Sequence, residues 1–450
     1  MSRRPVAGVA LTLALALLTA SACASKTLLE PSTSPTTSLL PSVSTPASPS
    51  PASEADSAEA LIARQCPPPD LPNPHQGPSG ATPPEIRAVE REVERSRGLD
   101  FEHPVATDAV SPGQMKGDLA SQLNDPQGRK YLNDQGKVLE TMGAIPEGTD
   151  LSSAVKDFAT SQVAGYYDPA TKELVFLGGR EPTTMDMLIL AHELTHALDD
   201  QHFDLTKLLT PEMRCHDEAG SAVRGLAEGS AMVFGTRAVE SSLTPAQLAQ
   251  LQKQVGKMAG KSQVPESVPD FVTGMEEWPY FAGMQFVGYL ESRGGVDAVN
   301  EAFAHPPTTT EQVIHPSKYP DELPRRIDVP NLGPKLGQRW RDLAAAEVGE
   351  AWLDVYLALH LDKGKADSAS AGWDGGLFRT WTDGDAAAVL LSTAWDIEKD
   401  AQEFETAMHE WLAETNVEAE VVRNGDTVQV IYGSTPDALQ ALAEAAALTG

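Results

Sequence analysis

The chain has 450 residues, and 64 acidic against 34 basic side chains give it a formal charge of -30. That length exceeds one compact domain. So acidic a surface has no basic patch to follow a phosphate backbone, which excludes nucleic acid as a partner and otherwise reads as a solubility feature.

Arg3 and Arg4 open the chain, Val6 to Ala20 is almost wholly apolar, and Ala20-Ser21-Ala22 supplies small residues. This is the pattern of an export signal. Cys23 directly behind it looks like the acylated cysteine of a bacterial lipoprotein, although such motifs usually carry Leu where Ala20 stands. Residues 1–23 are expected to be a signal peptide with a lipobox-like end. The protein would then be exported and anchored to the outer face of a membrane through lipid on Cys23, with plain secretion as the alternative. Outside the cytoplasm the other two cysteines, Cys66 and Cys215, are expected to pair, two buried thiols being the alternative. Residues 24–83, rich in Ser, Thr and Pro, are expected to be a disordered tether.

Order is expected from Pro84, where apolar residues recur at helical spacing. Asp150 to Thr160 reads as a short helix, followed by a strand-turn-strand signature around Asp168-Pro169-Ala170-Thr171. Met185 to Asp199 carries Met187, Leu188, Leu190, Ala191, Leu194 and Leu198 on a helical period without Gly or Pro. Helices follow over Ala219 to Thr236, Thr244 to Lys257, Tyr280 to Ser292 and Val296 to Phe303, and a capping box at Thr308-Thr309-Thr310-Glu311 starts a shorter one. From Leu336 a helical run through Ala344 and Leu357 leads into strands and helices that alternate to the end, a small α+β module with a boundary near 335.

The chemistry sits on the Met185 helix, in His192-Glu193-Leu194-Thr195-His196. Histidines four apart on a helix project to one face, where two imidazoles can share a metal ion. Glu193 lies one step round, able to reach a metal-activated water without being a ligand. A catalytic zinc needs a third protein ligand and an open position. Glu228 is the best candidate, an acid among small and apolar neighbours in Arg224-Gly225-Leu226-Ala227-Glu228-Gly229-Ser230-Ala231. Glu218, Asp217 and His202 are the alternatives, with His202 facing away on a regular helix. His315, Tyr319 and Tyr167 are candidates to donate to a developing oxyanion, and Asp199 and Asp200 to orient a ligand imidazole. The strand Glu173 to Leu177 could take an extended peptide as another strand, or be an ordinary hairpin.

These motifs resemble the gluzincin group of zinc metallopeptidases, which pair His-Glu-x-x-His on one helix with a Glu ligand on the next. More narrowly, His192-Glu-Leu-Thr-His-Ala-Leu-Asp-Asp-Gln-His202 followed by Ala227-Glu-Gly-Ser-Ala231 is similar to a set of poorly characterised bacterial exported peptidases. The resemblance runs from about Gly165 to Tyr319. It implies an α+β fold whose main part is a largely helical zincin-like catalytic domain with a short β-hairpin and edge strand, residues 84–335. The small α+β module, 336–450, follows it. It also implies one Zn2+ per chain on His192, His196 and Glu228, with Glu193 as general base; His315 is the donor expected from the residues themselves. The expected activity is hydrolysis of peptide bonds in a peptide or protein substrate. A zinc amidase acting on cell-wall peptide, or a non-catalytic zinc lipoprotein that binds a partner, are the alternatives.

Overall fold

A computed structural model describes residues 56–65, 82–122, 126–162, 165–178, 183–208, 216–258 and 264–447. Cys23, Cys66 and Cys215, the export signal and most of the expected tether lie outside them. The fold is α+β with two separate sheets. No helix among the described residues is long and apolar enough to cross a membrane.

The first described helix, α1 (Ala58–Gln65), falls inside the stretch expected to be disordered. Ala58, Leu61 and Ile62 form an apolar stripe that the surrounding Ser/Thr/Pro composition hides, and all three are buried. Helix α2 (Pro84–Arg97) follows, ended by Gly98 in the left-handed conformation at φ 73°. Strand β1 (Ala106–Val110) and helices α3 (Pro112–Gln122), α4 (Pro126–Thr141) and α5 (Leu151–Gln162) lead to the hairpin β2 (Gly165–Asp168) and β3 (Glu173–Leu177).

In this first sheet the order is β1-β3-β2, with β1 parallel and β2 antiparallel to β3. Glu173 to Leu177 is therefore a central strand. Its two edges are already paired, so it has no free edge for a peptide, and β2 is the edge that lies on the motif helix.

The helical body consists of α6 (Thr184–Phe203), α7 (Asp217–Ser230), a π-helical turn at Ala231–Gly235, α8 (Thr236–Ser242), α9 (Pro245–Met258), α10 (Asp270–Ala304) and α11 (Thr310–Ile314). The two helices expected at 280–303 are present within α10, divided at Gly295, whose φ of 67° and ψ of -158° leave the helical region; the first of them begins earlier, at Asp270.

After α12 (Gly333–Leu336), Arg341–Glu347 is strand β4, not helix. Ala344, Ala345 and Ala346 favour helices in isolation, but pairing with β5 (Trp373–Thr382) and burial on both faces override that preference. Helices α13 (Glu350–Ala358) and α14 (Lys363–Ser370) precede β5. Then come β6 (Ala387–Trp395), α15 (Glu398–Ala413), β7 (Glu418–Asn424), β8 (Thr427–Gly433) and α16 (Pro436–Ala447). The sheet is antiparallel in the order β4-β5-β6-β8-β7.

One face of this sheet is covered by α13, α14 and α15 together with Val138, Met142, Ile145 and Phe158 from α4, α5 and the loop between them. The other face is covered by α1 and α16. Residues well upstream of 335 thus complete both faces of this sheet.

Candidate metal centre

Helix α6 is held at both ends. Thr183 accepts from the Asp186 N–H while the Asp186 carboxylate accepts from the Thr183 N–H, and Asp204 closes the other end at φ 53°. A regular helix between these caps brings His192 and His196 onto one face, their rings 4.7 Å apart and nearly perpendicular. Their Nε2 atoms lie 3.1 Å apart, and Glu228 Oε2 lies 3.1 Å from His192 Nε2 and 3.4 Å from that of His196. The three side chains are 7, 13 and 15 % exposed, enclosed but reachable.

Glycines set the distances. A Cβ at Gly235 would stand 2.9 Å from Ala191 O, so the π-helical turn rests directly on α6. Gly229 faces α10 instead, where a Cβ would come within 2.1 Å of Gly283 O. The small residues around Glu228 thus seat α7 against α10, and Gly235 makes the close approach to the motif helix.

Asp199 ties these helices together from beneath. Its carboxylate accepts from Arg97 Nε at 2.8 Å and from Ser230 Oγ at 2.6 Å. One buried aspartate, a turn beyond His196, therefore fastens α6 to α7 two residues beyond Glu228. Neither Asp199 nor Asp200 contacts an imidazole. Asp200 instead accepts from Tyr167 Oη, Lys172 Nζ and Leu205 N, and the buried His192 Nδ1 has no hydrogen-bond partner.

Two ring nitrogens facing each other at 3.1 Å need a proton or a cation between them. Burial disfavours a charged His196, but the Glu228 carboxylate outweighs it and holds the ring up at about 9. Burial likewise opposes an ionised Glu228, yet His196 and His192 keep it well below the usual carboxylate range. The site is thus built for positive charge. Glu193 stands beside it without joining the donor set, its Oε2 accepting from the Tyr167 N–H at 2.9 Å. Burial pushes the Glu193 carboxyl up, and the two imidazoles oppose that shift.

The rival ligands are committed elsewhere. Glu218 accepts from the Thr310 N–H and Oγ1, Asp217 from Tyr131 Oη, and His202 contacts the Asp100 carbonyl. His315 is not drawn into the cluster. Its Nε2 pairs with Glu350 at 2.8 Å, because α11 packs beside α13, and Tyr319 Oη donates to the His305 carbonyl. A second acidic group, Glu311, Glu322 and Asp396, already has Lys318 at its centre, paired with all three carboxylates.

Tyr280, which the sequence places only at the start of a helix, packs against the core beside the cluster. The structure stacks its ring on His192 at 5.9 Å and 26°, and burial followed by the Glu228 charge pushes its hydroxyl pKa well up. Nothing in a lone Tyr beside Pro279 signals this, since the contact arises only when α10, packed along α7, brings the ring beside His192.

A family model described as a domain of unknown function (DUF8575) matches residues 338–444. That span holds the five-stranded sheet with α13, α14, α15 and most of α16, and the metal cluster lies outside it. No curated protein and no solved structure matches the chain.

Proposed function

We propose that the protein is an extracytoplasmic zinc metallopeptidase with a zincin-like catalytic body, in which His192, His196 and Glu228 hold one Zn2+ and Glu193 is the general base. The observation that carries this reading is the convergence of three donors at 3.1, 3.1 and 3.4 Å beside a carboxylate that stays out of the set. Tetrahedral ligands about 2.0–2.2 Å from zinc lie about 3.3–3.6 Å from one another, close to this spacing. Two imidazoles and one carboxylate are also a donor set that catalytic zinc takes, with a fourth position left for substrate.

When bound, zinc supplies Lewis acidity that makes a water nucleophilic and polarises a carbonyl. The residues do the rest. The Tyr167 N–H occupies Glu193 Oε2, leaving Oε1 to take the proton of the attacking water and return it to the leaving nitrogen. Export and membrane attachment through Cys23 belong to the same proposal and rest on residues 1–23 of the sequence.

The test is metal content and cleavage of a mixed peptide library by the wild type and by Glu193→Gln. One zinc per chain, with cleavage reduced about 100- to 10,000-fold in the variant while zinc stays bound, is the expected result. Full zinc without peptide cleavage would sink the peptidase reading. Cleavage confined to cell-wall peptide amides would move it to an amidase.

A further inference from the structure

The partner of Glu193 is a backbone amide, and a backbone amide is only as well placed as the strand that carries it. Tyr167 lies opposite Leu174 in the β2–β3 ladder. Its N–H leaves the ladder on the outer side of β2 and donates to Glu193 Oε2 at 2.9 Å. Tyr167 therefore occupies a non-hydrogen-bonded position of an edge strand: the ladder with β3 holds the strand, but the Tyr167 N–H has no partner within the sheet.

The far end of the same residue adds a second hold, on the motif helix itself. Tyr167 Oη donates to Asp200 Oδ2 at 2.5 Å, and Asp200 is 3 % exposed on the motif helix. Glu193 and Asp200 are seven residues apart, about two helical turns or about 10 Å along α6. Tyr167 thus grips the helix at two points, by its amide and by its ring tip.

The turn of the hairpin joins the same anchor. Lys172 Nζ lies 2.8 Å from Asp200 and 3.4 Å from Asp204. Lys172 has φ 59° and Asp204 φ 53°, a left-handed conformation uncommon outside Gly, and both serve this one aspartate network. Leu205 N–H donates to Asp200 as well, so the buried carboxylate has three donors and is held in place from the loop beyond α6.

We infer that Tyr167 and Asp200 are positioning residues for Glu193: the Tyr167–Asp200 clamp sets the strand so that its amide immobilises one carboxylate oxygen and leaves the other facing the reacting water. This rests on the peptidase reading for the identity of the reaction, and not for the clamp itself.

The experiment compares full-length wild type, Tyr167→Phe and Asp200→Asn, each alone and in the Glu193→Gln background. Tyr167→Phe keeps the ring and the amide and removes only the hydroxyl. The expected result is full zinc content, KM on the peptide library changed less than about twofold, and kcat lowered about 10- to 100-fold. Combined with Glu193→Gln, the same substitutions should add no further loss. In the metal-free protein, hydrogen exchange at the 167 amide should speed up in Tyr167→Phe and in Glu193→Ala. Wild-type kcat in Tyr167→Phe, a rise in KM alone, or an equal loss in the Glu193→Gln background would overturn the inference.

Acetohydroxamate separates the two ideas, because its affinity for the zinc-loaded protein depends on a placed Glu193 and on no peptide substrate. If no peptide is cleaved but Tyr167→Phe weakens acetohydroxamate binding at full zinc content, the clamp stands and the peptidase reading falls. If zinc and acetohydroxamate bind equally well to both proteins, the clamp is wrong whatever the substrate is. A wild type that binds no zinc removes the peptidase reading, and the clamp then stands or falls on hydrogen exchange at the 167 amide, where an unchanged rate in Tyr167→Phe overturns it.

Discussion

Among the described residues two arginines are wholly buried, one behind the candidate metal cluster and one in the five-stranded sheet, and they are satisfied differently. Arg97 donates through Nε to Asp199 and through Nη1 to Asn300, lies against the rings of Phe234, Phe203 and Phe303, and leaves Nη2 without a partner. Arg379 grips Asp342 with two parallel bonds of 2.9 and 3.0 Å and donates to the carbonyls of Asp56 and Val329. The Arg379 fork is the stronger geometry, and it ties the β4–β5 pair to the segments beside it. The looser Arg97 sits where α2, α6, α7 and α10 meet, and its aspartate is shared with Ser230. The same device therefore serves architecture in one region and supports the candidate metal site in the other.

The largest effect should come from breaking the first pair. Arg97→Met leaves the Asp199 charge buried with only Ser230 as donor, and such losses cost about 3–5 kcal/mol. Urea unfolding should show that loss, and metal occupancy of the His192 cluster should fall with it, since Asp199 holds α6 to α7. Arg379→Met should cost less, about 1–3 kcal/mol, because the Asp342 side chain is 20 % exposed and can be hydrated. It should leave metal occupancy unchanged. Equal loss of metal in both variants would show that the sheet supports the site too, and the contrast would fail.

Glycine contacts sharpen the same contrast. At Gly283 a Cβ would stand 1.9 Å from Gly225 O, and at Gly433 it would stand 2.3 Å from Leu439 N. Alanine at either position should cost about 1–3 kcal/mol through overpacking. Only Gly283→Ala pushes on the helix that carries Glu228, so only it should weaken metal binding in a competition titration with a chelator. Weakened binding in Gly433→Ala, with none in Gly283→Ala, would reverse the assignment of the two regions.

How far these features were legible follows from how local each signal is. His192, Glu193 and His196 lie within five residues of one helix, where geometry is dictated by the helix itself. Glu228 could be singled out because a carboxylate among Gly, Ala and Leu is an unlikely surface. The support behind them was illegible. Arg97 and Asp199 are separated by 102 positions, and the donor to Glu193 is a backbone N–H, which has no residue type to recognise. In the sheet region, Ala344 to Ala346 misled because alanine carries helix propensity and no strand signal, while the pairing that decides the matter comes from β5. Composition hid α1 in the same way, since three apolar residues carry it within a long Ser/Thr/Pro stretch.

The smallest expected effect lies where the two regions touch, at Glu218. This side chain at the start of α7 is 6 % exposed and accepts from Thr310, whose hydroxyl in turn accepts from the Ala351 N–H of α13. Burial raises its carboxyl to about 8, with the Thr310 donors opposing and Glu347 and Glu350 adding to the shift. Because the folded pKa lies above the unfolded one, the folded state binds the extra proton. Stability from this group is then fully present below about pH 4.5 and is lost as pH rises through about 8. Glu218→Gln keeps an acceptor for Thr310 and cannot ionise. Its melting temperature should lie close to that of the wild type near pH 5 and exceed it near pH 9. Parallel pH profiles would show that Glu218 is ionised in the fold at both pH values. The same variant also tests the metal site, because Glu218 was the main rival to Glu228. Unchanged metal content in Glu218→Gln, against loss in Glu228→Gln, is expected, and the reverse result would move the third ligand to the start of α7.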